Sequence, residues 1–296
     1  MFKFLFILLF LTSSILSESF KVISITGTVV LNGEIIILKD DIISDCDYII
    51  LVERSRILLE NTVGDKLDIR RTGIYSGARM KMKFKLNQFD IPKELSNSLL
   101  DELSVAEEFL YKNEIQKKLL QLSLLDEKKD FLKSPKNSWI LNYDTVLFEW
   151  DEFNNRTSYN FNIIDLDGNV IFSKLTDYNR LEVPIKKLNL NKNECYFWSV
   201  ESGNIISEES CIMLFENEDY KIIEAEVKIL ESSLNLMEST DNIILAKYYE
   251  SHNIMYKAVH YYENSIILNP LIKEHLIMYY EYLKNKGVFK MPEYKF

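Results

Sequence analysis

"ILAKYYESHNIMYKAVHYYENSIILNP", residues 244–270, decides how the chain is organised. Small residues and aromatics recur along it at helical intervals: Ala246 and Tyr249, then Ala258, Tyr262 and Ser265, with Pro270 at the end. Residues three and four apart share a helix face, so this spacing predicts two amphipathic helices in a hairpin. Alanine lets antiparallel helices approach closely, tyrosine fills the space beside it, and proline turns the chain into the next helix. The competing explanation is that tyrosines and histidines are gathered here for chemistry. His252 and His260 would fall on different helices of the hairpin, and His275 on a third. A metal site wants closely spaced ligands, and no histidine pair at i, i+4 exists, so surface or groove histidines are expected.

Ala246, Tyr249, Ala258, Tyr262, Ser265 and Pro270 match the small–aromatic–small–aromatic–small–proline positions of the tetratricopeptide repeat, and Leu245 also falls in register. The stretch resembles one unit of that family, whose period is about 34 residues. The resemblance implies a helix before the hairpin (219–237) and one after it (271–286), with Gly287 as the last helix stop. By register, Ile243, Lys247, Glu250 and Ser251 would line the groove and touch a partner. One unit cannot bury its own face, and such solenoids need about three repeats. The hairpin is therefore expected to lean on other parts of the chain or on a partner.

Upstream, "TVLFEW", "SYNFNIIDLDGNVIFSKL", "RLEVPI" and "CYFWSVES" are alternating runs separated by turns. Leu190 precedes Tyr196 by six residues, and Tyr196, Trp198 and Val200 share a face. This resembles the tyrosine-corner strand of an immunoglobulin or fibronectin type III sandwich, with Trp150 as a buried early-strand tryptophan. Cys195 and Cys211 flank a hairpin around Gly203-Asn204 and could pair there, leaving Cys46 as a buried free thiol. "DLDGN" at 165–169 fits a hairpin turn better than a calcium loop, because Thr176 stands where the twelfth-position carboxylate would be. "NRT" at 155–157 fits the glycosylation acceptor pattern, for which chance is sufficient explanation.

From Phe20 to about Phe84 the chain alternates, with Asn32-Gly33 as a hairpin signal. Gly27-Thr28-Val29, "ILKDDII" and "IILVERSRILLE" resemble the FecR-like domain, with Asp40 where that family has glycine. No membrane helix precedes the segment, so the resemblance implies an envelope β-module and not sigma-factor regulation. Arg54, Arg56, Arg70 and Arg71 would come together if their strands pair, as an anion patch or as ordinary strand-edge charges. From residue 88 a helix follows, capped by Asp90 with Pro92 in its first turn and Leu95, Leu99, Leu103, Ala106 and Leu110 at helical spacing. A second helical run (Ile115 to Leu125) follows, and "LKSPKNSW" at 132–139 reads as a linker.

"MFKFLFILLFLTSSILSES" has a basic start at Lys3, an apolar run from Phe4 to Leu11, and small residues at Ser17 and Ser19, which is the pattern of a cleavable export signal. The apolar run is shorter than the about 20 residues that span a bilayer. The expected fold class is α+β multidomain: signal 1–19, FecR-like β-domain 20–87, helical connector and linker 88–134, immunoglobulin/fibronectin-like sandwich 135–216 and tetratricopeptide-like helices 217–296. A net charge of −10 over 296 residues disfavours nucleic acid as a partner. There is no Gly-rich phosphate loop, Gly-x-Ser-x-Gly elbow or paired-cysteine knuckle, and no cofactor is expected. These features suggest a non-enzymatic periplasmic adaptor whose partners are other envelope proteins. Spirochete periplasmic proteins around the flagellar motor combine tetratricopeptide and FecR-like modules, which makes a motor-collar component the specific version. Peptidoglycan binding through exposed aromatics such as Phe197 or Tyr178 is the alternative, and an envelope hydrolase with a carboxylate pair is a third.

Overall fold

The computed structural model describes residues 18–89, 91–111, 131–141, 144–153 and 158–288. Most of the expected signal (1–17), the Asp90 cap, the run from Ile115 to Leu125 and the "NRT" sequon lie outside the described residues. The chain is mixed α+β, with sheets preceding and between groups of helices. Among the described residues, strand pairing is antiparallel except where Ser138–Ile140 pairs in parallel with Ser210–Leu214.

The first eight strands are β1 (Ser19–Thr26), β2 (Val29–Leu31), β3 (Ile35–Ile36), β4 (Ile42–Ser44), β5 (Tyr48–Leu51), β6 (Arg56–Glu60), β7 (Lys66–Ile69) and β8 (Gly73–Ser76). They make two four-stranded sheets, ordered β4-β1-β6-β7 and β3-β2-β5-β8. Phe20, Val22, Ile43, Ile49, Leu51, Ile57 and Leu59 fill the space within this module. Asp40 adopts φ 73°, a left-handed conformation that glycine accepts freely and aspartate tolerates.

Residues 77–88, "GARMKMKFKLNQ", alternate lysine and hydrophobe with the period of a strand. They are instead helix α1 (Gly77–Gln88), which corrects the β expectation for this stretch. Wound as a helix, Met80 and Phe84 share one face and enter the β core, where Phe84 stacks on Phe20 at 5.4 Å. Gly77 is needed by close approach: a Cβ there would stand 2.3 Å from the Ser44 carbonyl oxygen. Helix α2 (Lys93–Tyr111) buries Leu95, Leu99, Leu103 and Ala106. Its buried Glu107 accepts hydrogen bonds from the Ser76 amide (2.6 Å), the Ser76 hydroxyl (2.8 Å) and Arg79 Nη1 (2.9 Å), which fixes α2 to the start of α1.

The expected linker at 132–139 is two strands, β9 (Leu132–Ser134) and β10 (Ser138–Ile140). β11 (Thr145–Trp150), β12 (Tyr159–Ile164), β13 (Val170–Thr176), β14 (Arg180–Pro184), β15 (Cys195–Ser202), β16 (Ile205–Ile206) and β17 (Ser210–Leu214) follow. One sheet is β14-β11-β9; the other is β10-β17-β15-β12-β13, with β16 also on β15. The linker motif was unreadable because Pro135 and Asn137 serve to carry the chain from one sheet to the other. Phe148 and Trp150 of the first sheet meet Phe161, Tyr159 and Trp198 of the second, with centroids 4.9 to 6.0 Å apart. The Tyr196 hydroxyl accepts a hydrogen bond from the Asn191 amide at 2.9 Å. Residues 165–169 form the β12–β13 turn, with the Asp167 and Asn169 amides donating to Asp165 Oδ1.

Helices α3 (Asn217–Ser233), α4 (Ser239–Ser251), α5 (Met255–Leu268) and α6 (Lys273–Asn285) complete the described chain, and Gly287 (φ 76°) follows the last. Their apolar faces, that of α2 and the interior of the sandwich form one continuous core.

Cys195 lies opposite Met213 and Cys211 opposite Phe197, so the cysteines sit diagonally across β15 and β17 and are joined as a disulfide. Cys46, expected to be buried, is exposed at a turn. Denatured protein should therefore yield one maleimide-reactive thiol per chain without reductant and three with it. A Cys195→Ser/Cys211→Ser variant should be destabilised by roughly 2–3 kcal/mol in urea unfolding, the loop-closure effect for a crosslink of this span.

Candidate functional site

The hairpin forms where the spacing of small and aromatic residues puts it. Leu245, Ala246, Ala258, Tyr262 and Ser265 are fully buried and Tyr249 nearly so, while Pro270 is exposed between α5 and α6. Tyr249 stacks on Tyr261 at 5.5 Å, and Tyr262 on Tyr279 of α6 at 5.4 Å. The tyrosine hydroxyls are held by carboxylates: Tyr248 donates to Glu226, Tyr262 to Glu250 and Tyr279 to Glu263. Burial, reinforced by Glu250, raises the Tyr262 phenol well above its ordinary range.

The four residues expected to face a partner are mostly covered by the chain itself. Ile243 is fully buried, and Lys247 is 4% exposed. Helix α2 lies against α4 and α6, and the Lys247 ammonium is shared between Glu102 of α2 and Glu250, 2.8 Å away in its own helix. Glu250 is partly buried by this pairing and by Tyr262. Ser251 alone is exposed, its hydroxyl donating to the Tyr248 carbonyl. The physical reason is that a two-helix hairpin with apolar residues on more than one face cannot bury them alone, and α2 covers one of those faces.

Two further joints hold the hairpin. At its turn, Ser138 of β10 accepts a hydrogen bond from the Met255 amide at 2.9 Å, satisfying a donor at the start of α5 that the helix cannot pair internally. The Asn253 carbonyl accepts from the Trp139 amide (3.0 Å), its side chain donates to the Asn137 carbonyl (2.9 Å), and Tyr256 donates to Asp144 (2.5 Å). At the start of α4, Lys85 of α1 binds Glu238 (2.8 Å) and Asp241 (2.7 Å), and Lys81 binds Glu18 (3.1 Å), Glu238 (3.5 Å) and Asp45 (3.8 Å). Burial pushes the Asp241 carboxyl above its usual range, against the pull of Lys85.

The histidines divide. His260 is exposed and His252 partly so, but His275, expected at the surface or in a groove, is fully buried with Nδ1 2.8 Å from the Ser265 hydroxyl. Burial, and secondarily the Lys81 charge, lowers its pKa to about 3. Of the four arginines, Arg56 and Arg70 converge on Asp68 at 2.7 and 2.6 Å, so one carboxylate offsets part of their charge. Among the described residues no cluster of His, Cys, Asp and Glu is arranged to hold a metal, and no helix is long and apolar enough to cross a membrane. No protein-family model matches the sequence, and no curated protein matches it.

Lys81, Lys85, Glu102 and Ser138 were not singled out by sequence. The one available signal was the i, i+4 spacing of the two lysines, which strand-like alternation masked.

Breaking the Lys247–Glu102 pair with Glu102→Ala should cost about 1–3 kcal/mol. That is below the ~3–5 kcal/mol typical when a fully buried pair is broken, since the Glu102 side chain retains 38% exposure. A double-mutant cycle with Lys247→Met should show coupling of the same sign. Stability should also fall as the pH drops from about 6.5 towards 3, where the unfolded chain binds a proton that folded His275 refuses, with a limiting slope of about 1.4 kcal/mol per pH unit. His275→Gln should flatten that part of the stability–pH curve.

Proposed function

We propose that the chain is a non-enzymatic adaptor of the cell envelope, which holds other proteins in a fixed arrangement. In its specific form it is a periplasmic component of the collar around a spirochete flagellar motor. What supports this most is the way the helical hairpin is fixed on two sides: to the sandwich through Ser138, Asn253 and Tyr256, and to the N-terminal module through Lys81 and Lys85. A body joined in this way transmits geometry between partners bound at distant surfaces, as an adaptor must. The resemblance to tetratricopeptide, FecR-like and immunoglobulin or fibronectin modules favours the same class, and the signal-like start favours export. Because α2 covers α4 and α6, partners would engage outer surfaces and not the repeat groove.

Peptidoglycan binding is a second reading, favoured by Tyr178, which is 71% exposed just beyond β13 on a hairpin that also exposes Leu166, Val170 and Leu175. Sugar rings stack on such faces. Phe197 is partly buried and offers less.

Crosslinking intact envelopes and purifying the full-length chain distinguishes the two. The adaptor account expects a reproducible set of envelope proteins and no co-sedimentation with purified peptidoglycan. Capture of no protein, together with sedimentation that Tyr178→Ala abolishes, would establish the glycan reading in its place.

A further inference from the structure

Helix α3 repeats itself. Residues 219–225, "DYKIIEA", and 226–232, "EVKILES", are two heptads of one pattern: acid, apolar, lysine, isoleucine, apolar, glutamate, small. Each heptad carries two apolar stripes. Ile223, Val227 and Leu230 form one, and they are buried against the rest of the molecule. Ile222, Ala225, Ile229 and Ser232 form the other, spaced three and four apart on the nearly opposite side of the helix. That stripe faces solvent: Ile222 is 57% and Ile229 62% exposed, and Ala225 and Ser232 are exposed as well. Packing among the described residues explains the first stripe and leaves the second uncovered.

We propose that this second stripe pairs with the same stripe of a second copy, as a short parallel two-helix seam on a two-fold axis. The flanking charges select both the partner and the direction. Lys221 and Lys228 run along one edge of the stripe, and Asp219 and Glu226 along the other. In a parallel pair the edge of one helix meets the opposite edge of its mate, so Lys221 of each copy faces Glu226 of the other. An antiparallel pair would set the lysine edges against each other and the acidic edges against each other. Glu226 is exposed, and its Oε2 accepts a hydrogen bond from the Tyr248 hydroxyl of its own chain at 2.6 Å. Lys228 keeps Glu224 as its partner within the same helix. The buried stripe lies away from the seam, so each copy's body stays outside it. With two isoleucines per helix the association is weak and concentration-dependent. It stands whether or not the chain is an adaptor.

The test is the mass of the full-length chain by sedimentation equilibrium across micromolar to submillimolar concentrations. A monomer–dimer equilibrium is expected. Ile222→Glu/Ile229→Glu should weaken it by at least about a hundredfold in dissociation constant, through lost apolar burial and added like charge. Both side chains are exposed, so the circular dichroism and unfolding midpoint should not change. Ala225→Cys in a Cys46→Ser background should form a disulfide-linked dimer on mild oxidation, since a parallel two-fold seam sets this position against its own copy. A monomer at every concentration, a dimer that survives the double glutamate substitution, or a dimer of the Ala225→Cys variant that fails to crosslink would overturn the proposal.

Discussion

The ammonium of Lys247 sits where a helical hairpin of this spacing would present an open face, and the arrangement of the molecule follows from keeping that charge satisfied once the face is closed. A buried lysine costs several kcal/mol unless carboxylates surround it. Glu250, in the same helix, supplies one; Glu102 supplies the other and comes from α2, more than a hundred residues earlier in the chain. Closing the face thus brings α2 onto α4 and α6. Because Glu107 of α2 grips Ser76 and Arg79, α1 comes with it, and α1 carries the N-terminal sheets through Met80 and Phe84. A single local requirement is passed along the chain until the helical body and the N-terminal sheets are joined.

The junctions use charge and hydrogen bonds where apolar contact would also have given stability. Ion pairs such as Lys85 with Glu238 and Asp241 return little net energy after desolvation, but a misplaced partner leaves a charge stranded, so they penalise wrong docking more than they reward the right one. Ser138 acts similarly at α5: it completes a helix end that no residue of the helix can complete, and does so only when β10 is in place. Relative orientation is what these contacts specify.

The hairpin was legible in the sequence because its signal is local: alanines and tyrosines at helical spacing report their own packing. The strands at 145–150, 159–176 and 195–202 were legible for the same reason, through alternation. Residues 77–88 misled because two physical demands coincide. Lys81 and Lys85 must meet carboxylates on one side while Met80 and Phe84 meet the β core on another, and a helix meeting both leaves a strand-like pattern in the letters. Residues 132–139 misled because proline and asparagine mark a break between strands as well as a linker. Ile243, Lys247, Glu250 and Ser251 do lie on one helix, α4, but the expectation that they face a partner did not foresee their cover. What covers that face was hidden, since α2 is distant in sequence and its Glu102 looks like any surface acid until Lys247 is beside it.

The most direct measurement is hydrogen exchange of the full-length chain, followed peptide by peptide. If α2 is an integral part of the helical body, amides of 95–106 should exchange as slowly as those of α4 and α5, and should open together with them when denaturant is added below the unfolding midpoint. Exchange of α2 at the rate of a frayed helix, with α4 and α5 still protected, would contradict the account and reopen the groove to an outside partner.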